Sequence, residues 1–278
     1  MGEASPEKEN ADYTEHMPTF ELPATAYVKF GRTGERCIRR SDFETFDPRV
    51  LGLGNIQKDA VSRSAICAIF DLEQFTTFCR QIEPHLSVPV FLNEFLNWIF
   101  KAIRKETVQR IVGPGKHIVK TWHDLPFFAK FTGDGLMILW DPGNMGATNQ
   151  HDLITSIHEI LKSYQADFFP VMQRKVVDAP PVLRCGIAKG TVLSVGDGSD
   201  FVGSCINMAA RLQGLHGPTI SFARRGFDPE THWKESESKE WLLRKVSIRG
   251  IGNNELVYLR RDEFKKLSPA ARRQFRDP

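Results

Sequence analysis

At 278 residues and 31.6 kDa, the chain has room for one large domain or for a domain with an extension. Its 41% hydrophobic and 26% charged residues are those of a globular protein, and a formal net charge of +3 is too small to argue for nucleic acid or an anionic membrane as partner. The five cysteines (Cys37, Cys67, Cys79, Cys185, Cys205) are scattered and none forms a Cys-x-x-Cys, which argues against a disulfide framework or zinc knuckle and for a reducing, cytoplasmic setting.

Residues 1–23 are acidic, contain proline and lack periodicity, so a disordered tail without a secretory signal is expected there. Residues 24–62, with one strand at Ala26–Phe30, read as an extension packing on the main domain. The stretch Val88–Ile103 is broken by Asn93, Glu94, Asn97 and Lys101, as in an amphipathic helix, and no apolar run approaches the roughly 20 residues of a membrane span. From 63 to 262 the pattern is regular. A buried strand, Ser64–Phe70, precedes a helix carrying Phe91, Leu92, Phe95, Ile99 and Ala102 at helical spacing. The apolar runs Pro126–Phe131 and Leu136–Trp140 flank Gly133-Asp134-Gly135 as a hairpin, and a second helix covers His151–Met172. Val182–Ile187 and Val192–Val195 read as a strand pair turning at Lys189-Gly190. A helix at Ser204–Leu215, a strand at Thr219–Phe222, strands at Trp241–Ile248 and Glu255–Leu259, and a basic tail at 263–278 complete the chain. The alternation β-α-β-β-α-β predicts an α+β fold: a ferredoxin-like βαββαβ core with added strands and helices.

Two aspartates stand out. Asp71 ends the first buried run, and Asp134 lies in Lys130-Phe-Thr-Gly-Asp134-Gly. Taken singly, one is a strand-ending residue and the other a type I′ turn. Taken together, on adjacent strand ends, they form a site for divalent cations, which suits phosphoryl chemistry.

These residues and three further segments resemble the catalytic domain of class III nucleotidyl cyclases. Phe70-Asp-Leu-Glu-Gln-Phe-Thr76 is similar to the family's Asp-Ile-x-Gly-Phe-Thr metal motif, and Lys130-Phe-Thr-Gly-Asp134 to its Lys-x-x-Gly-Asp. Asp200-Phe-Val-Gly-Ser-Cys-Ile-Asn207-Met-Ala-Ala-Arg211 is similar to Asp-x-x-Gly-x-x-Val-Asn-x-Ala-x-Arg, and Ile248-Arg-Gly-Ile-Gly252 to the late Val-Lys-Gly-x-Gly strand. The resemblance implies two divalent metal ions, Mg²⁺ or Mn²⁺, on Asp71, Asp134 and the Leu72 carbonyl. It implies that Asn207 orients the ribose, that Arg211 neutralises charge at the α-phosphate, and that Arg249 and the backbone amides of Phe75 and Thr76 hold phosphates. It also implies a head-to-tail homodimer, since the metal residues and the Asn207–Arg211 pair meet across the subunit interface in this family.

Lys130 and Asp200 occupy the base-reading positions of adenylate cyclases. A donor beside an acceptor complements adenine, and after a small shift uracil or cytosine, so pocket size must separate purine from pyrimidine. The sequence departs from the family at Gln74, where a glycine is usual, and in the 63 positions between Asp71 and Asp134, whose excess falls around Arg110–Pro126. In general appearance the chain resembles the bacterial pyrimidine cyclases of Pycsar antiphage systems. That resemblance implies cyclisation of UTP, then CTP, to a 3′,5′-cyclic monophosphate read by a separate effector. The alternatives are an adenylate cyclase, and a non-catalytic regulatory module on the same fold. The second of these is disfavoured by the presence of all of Asp71, Asp134, Asn207 and Arg211. A polymerase palm shares paired carboxylates but requires fingers and thumb.

Overall fold

The computed structural model describes residues 27–30, 35–44, 51–112, 118–122, 125–227, 229–233 and 235–278. The tail at 1–23 lies outside the described residues. The chain divides into two compact units, residues 1–61 with 194–201 and residues 62–193 with 202–278.

In the smaller unit, strands β1 (Tyr27–Phe30) and β2 (Glu35–Ile38) pair antiparallel, followed by the one-turn helix α1 (Arg40–Phe43). The 194–201 segment is tied to residues 51–61. The Asp197 N–H donates to the Leu53 carbonyl at 3.2 Å, and the Asp197 carboxylate accepts from the Asn55 N–H at 3.2 Å.

The larger unit starts with β3 (Ser62–Leu72), the one-turn helix α2 (Phe75–Phe78) and the long helix α3 (Pro84–Glu106). Strands β4 (Val108–Val112) and β5 (Ile118–Trp122) form a separate hairpin, which accounts for the extra length between Asp71 and Asp134. Then come β6 (Phe128–Phe131), β7 (Gly135–Trp140) and α4 (Ala147–Ser163). A π turn (Tyr164–Phe168) runs on from α4 into α5 (Phe169–Met172). Next are β8 (Leu183–Val195), β9 (Asp200–Val202), α6 (Ser204–Gln213) and β10 (Ile220–Ala223). Last are β11 (Trp241–Ile248), β12 (Gly252–Arg260) and β13 (Phe275–Arg276).

The sheet runs β13-β11-β12-β10-β8-β3-β7-β6, with β9 folding back on β8. Its β8-β3-β7-β6 half, with α3 and α4 as the connecting helices, is the βαββαβ core that the sequence predicts. Along this path only β10 and β8 run parallel, and α6 lies in the crossover that joins them.

Strand β3 is central, and Ala65 to Phe70 are buried at every position because both faces are covered. Ile66, Ala68, Phe70 and Leu72 point into one core with Phe91, Phe95 and Ile99 of α3 and Leu153, Ile157 and Leu161 of α4. The spacing of four between Phe91, Phe95 and Ile99 makes a single helix face, and burying each such side chain contributes about 1.5–3 kcal/mol. The opposite sheet face carries α6, which packs on β3 and β10.

One expectation is overturned here. Lys189-Gly190 is not a turn: β8 runs unbroken from Leu183 to Val195 and pairs with β3 from Leu183 to Leu193. Gly190 serves close packing. A Cβ there would lie 3.1 Å from the Cys205 Cβ, and one on Gly186 would lie 2.1 Å from the Ala209 carbonyl oxygen. Gly186, Ala188 and Gly190 alternate along the same strand face, so they form a floor of small residues that lets α6 sit close to the sheet. The basic stretch at 263–278 is also ordered structure. Helices at Arg261–Lys266 and Pro269–Arg272 lead to β13, which pairs with β11 and buries Phe275.

Candidate active site

Strand pairing brings the two aspartates together. Asp71 lies opposite Gly135 in the β3–β7 ladder, and the Leu72 N–H donates to the Asp134 carbonyl at 2.9 Å. The strands approach so closely that a Cβ on Gly135 would sit 1.9 Å from the Phe70 carbonyl oxygen, so only glycine fits after Asp134. The Thr132 N–H closes the turn onto the Gly135 carbonyl at 3.0 Å. Gly133 takes the left-handed position at φ +97° and Asp134 does not, which is a type II′ pattern rather than the type I′ of the sequence reading.

A third residue, missed in the sequence, completes this cluster. Arg184 is the cross-strand partner of Asp71 on β8, and its Nη2 donates to Asp71 Oδ2 at 2.7 Å. The side chains are 19% and 14% exposed, so the pair is largely shielded from water. Burial pushes the Asp71 carboxyl above the usual carboxylate range. Arg184 opposes the shift without cancelling it, and Asp134 and Glu73 add to it. The Arg184 Nε is buried without a hydrogen-bond partner, so this guanidinium retains an unused donor beside the two carboxylates. An arginine at the start of the apolar strand Leu183–Ile187 was the available signal.

The donor set fits the implied metal. Asp71, Asp134 and the Leu72 carbonyl are hard oxygen ligands, as Mg²⁺ and Mn²⁺ prefer, and Asp134 raises the Asp71 pKa because the two carboxylates are close enough to repel. A divalent cation relieves that repulsion. Among the described residues no cluster of three or more His, Cys, Asp or Glu side chains is arranged as a metal cage. Two carboxylates leave coordination positions for water and substrate.

Gln74 links β3 to α2 in the left-handed conformation, φ 66° and ψ 15°, where a glycine would be relaxed. Phe75 and Phe78 anchor the single turn in the core, leaving Thr76 exposed. The first N–H groups of a helix have no intrahelical acceptor, so the Phe75 and Thr76 amides sit where phosphate donors are expected. The left-handed region costs an L-residue roughly 1–2 kcal/mol, against roughly 0.5–1 kcal/mol for the extra chain entropy of glycine. Gln74→Gly should therefore raise stability by up to about 1 kcal/mol. A shift of the urea midpoint to lower concentration would refute the strain.

Asn207 and Arg211 stand one turn apart on the exposed face of α6, whose Cys205, Met208, Ala209 and Leu212 are buried. Arg249 is exposed at the tip of the β11–β12 hairpin, one residue past the strand the sequence reading gave it. The tip closes through the Ile251 N–H to the Ile248 carbonyl at 3.0 Å. Lys130 is exposed on β6 in the larger unit. Asp200 belongs to the smaller unit, where its carboxylate accepts from the Phe201 N–H at 2.8 Å.

Within one chain, the Asp71–Asp134–Arg184 cluster and Asn207 stand at different points along β8. Arg184 marks the first, and Ala188, which lines a cavity with Asn207, marks the second. Four positions along β8 separate them by about 13 Å.

No protein-family model matches the chain. It is 25% identical over 214 residues to an adenylate cyclase from Anabaena cylindrica, a match covering 70% of this chain and 37% of that protein's length. Among solved structures, the adenylyl cyclase CyaB from P. aeruginosa matches with a TM-score of 0.53 and 17% identity, over 76% of this chain and 100% of that one. The guanylyl cyclase Cya2 matches with a TM-score of 0.46 and 15% identity, over 73% of this chain and 94% of that one. The chain has the α+β fold of class III nucleotidyl cyclase catalytic domains. The named relative from Anabaena is much longer than the segment this chain matches, which is 37% of it. No described helix is long and apolar enough to cross a membrane.

Proposed function

We propose that the protein is a metal-dependent nucleotidyl cyclase, converting a nucleoside triphosphate to its 3′,5′-cyclic monophosphate and pyrophosphate. The observation that carries this reading is the convergence of Asp71, Asp134 and Arg184 at the ends of β3, β7 and β8 of a cyclase fold. In the reaction the ribose 3′-oxygen attacks the α-phosphorus, the bond to the α,β-bridging oxygen breaks, and the hydroxyl proton is released to solvent. Asp71, Asp134 and the Leu72 carbonyl would hold two Mg²⁺ or Mn²⁺ ions, which would supply Lewis-acid activation of the hydroxyl and neutralise phosphate charge. Arg184 holds the Asp71 carboxylate in place through its Nη2. Asn207 orients the ribose, and Arg211 stabilises charge developing at the α-phosphate. Arg249 and the Phe75 and Thr76 amides hold the remaining phosphates. Two chains pair head-to-tail, each lending Asp71 and Asp134 to one site and Asn207 and Arg211 to the other.

UTP is the proposed substrate, then CTP. The likeness to Pycsar cyclases ranks the pyrimidines first, and a hydrogen-bond donor beside an acceptor complements either of them. The setting is then a cytoplasmic antiphage signal passed to a separate effector. A second reading, cyclic AMP synthesis, is favoured by the relatives named as adenylate cyclases. Incubating purified protein with ATP, GTP, CTP and UTP in Mn²⁺ and identifying products by mass spectrometry separates the two. Cyclic UMP or cyclic CMP upholds the first reading, cyclic AMP alone replaces it with the second, and no cyclic product removes both.

A further inference from the structure

A cavity of about 230 Å³ lies beside Asn207, between α6, the end of β10 and the tip of the β11–β12 hairpin. Its floor is Ala188 and Ala223, two small side chains on neighbouring parallel strands, β8 and β10. Gly250 and Ile251 of the hairpin tip close one side, with Gly250 held at φ +79° in the turn next to Arg249. The opposite side is Arg225, just past the end of β10. Two positions before Ala223 on the same strand, the Ser221 hydroxyl donates to the Leu212 carbonyl of α6 at 3.0 Å, so this strand face is the one that α6 covers.

Charge and size together limit what the space can take. Arg225 and Lys189 are cationic, although Lys189 Nζ already donates to Gln150 Oε1 at 2.9 Å, Asn207 and Ser204 offer polar groups, and no carboxylate among the described residues lines the cavity. On its other side Arg225 borders a hollow containing Arg224 and Glu255, so the two hollows together carry two arginines and a lysine against one acid. At 230 Å³ the cavity is smaller than the roughly 300–1,000 Å³ of sites that enclose a whole small-molecule ligand. It matches part of a nucleotide, and the part that suits a planar five-donor cation is a phosphate.

We infer that Arg225 is a further substrate-binding residue, which grips the terminal phosphates of the nucleoside triphosphate and the pyrophosphate they become. This rests on the cyclase reading for the identity of the substrate, while the polyphosphate chemistry stands on the cavity alone. Asn207 at the rim fixes the ribose end, and Arg225 and Arg249 then bracket the leaving group from two sides. A guanidinium there gains charge-assisted hydrogen bonds as the bond to the bridging oxygen breaks.

The test uses inorganic pyrophosphate, titrated calorimetrically into the full chain and into Arg225→Ala and Arg225→Lys. Arg225→Ala should weaken pyrophosphate binding about tenfold or more, and Arg225→Lys should recover part of it, since lysine supplies the charge without the fork. With the triphosphate that turns over best, Arg225→Ala should raise KM by a similar factor at an unchanged melting temperature. Pyrophosphate binding equal in the native chain and Arg225→Ala overturns the inference, as does failure of the native chain to bind it. If Arg225→Ala loses pyrophosphate while the native protein cyclises no nucleotide, the polyphosphate site stands and the cyclase reading falls.

Discussion

Replacing Asp71 with asparagine is expected to lower cyclase turnover about a thousandfold while leaving the protein folded. The asparagine side-chain oxygen still accepts from Arg184, so the local packing survives, while the charge that attracts a divalent cation is gone. Asp71→Ala removes the chemistry too, but it leaves the Arg184 guanidinium, 19% exposed, with neither a counter-charge nor the acceptor that asparagine keeps. Stranding a charge in that way costs about 3 kcal/mol or more. The two variants therefore separate catalysis from stability. Both lose turnover, and the alanine loses several degrees more of melting temperature than the asparagine. Turnover in Asp71→Asn above a tenth of the native rate would mean that this carboxylate does not hold the catalytic ion. Equal melting temperatures for the two variants would mean that the Asp71–Arg184 pair is not the buried contact described.

The parts of this site that could be read from the sequence are those where local chemistry and tertiary position coincide. Asp71 follows the unbroken apolar run Ala65–Phe70, and a run buried on both faces has to be central in the sheet, so Asp71 lies at the centre of the sheet's edge. Asp134 sits in a glycine-flanked turn because Gly133 takes a left-handed φ and Gly135 must let β7 approach Phe70. Asn207 and Arg211 share a helix face at a spacing of four. The failures have the opposite character. Gly190 resembles a turn residue to any local rule, yet it is set by Cys205 of a helix fifteen positions later, which only the folded molecule brings near. Arg184 reads as an interruption of an apolar strand until pairing with β3 places it across from Asp71. Gln74 could be noticed as a departure, but its cost depends on a φ of +66° that sequence does not report.

Mixing two inactive variants should restore activity. Asp71→Asn disables the metal group, and Arg211→Ala removes the charge-neutralising group, at an expected loss of about a hundredfold alone. In one chain Ala188, beside Asn207, lies four positions or about 13 Å along β8 from Arg184, the cross-strand partner of Asp71. If a head-to-tail dimer brings the two groups together, each site draws Asp71 from one subunit and Arg211 from its partner. Random pairing of equal amounts makes half of the dimers mixed. Each mixed dimer carries one site with both substitutions and one with neither, so about a quarter of the native activity returns. Co-expressing the two variants with different affinity tags and isolating the mixed dimer raises that to about half. The exposure of Asn207 and Arg211 on α6 agrees with such an arrangement, because groups that serve a neighbouring subunit must stand at the surface of their own. A site completed within a single chain gives no recovery under either protocol. In that case the separation along β8 would have to close by movement of α6 against the sheet, which the fit of Ala209 over Gly186 opposes, since even a Cβ at that glycine would lie 2.1 Å from the Ala209 carbonyl oxygen.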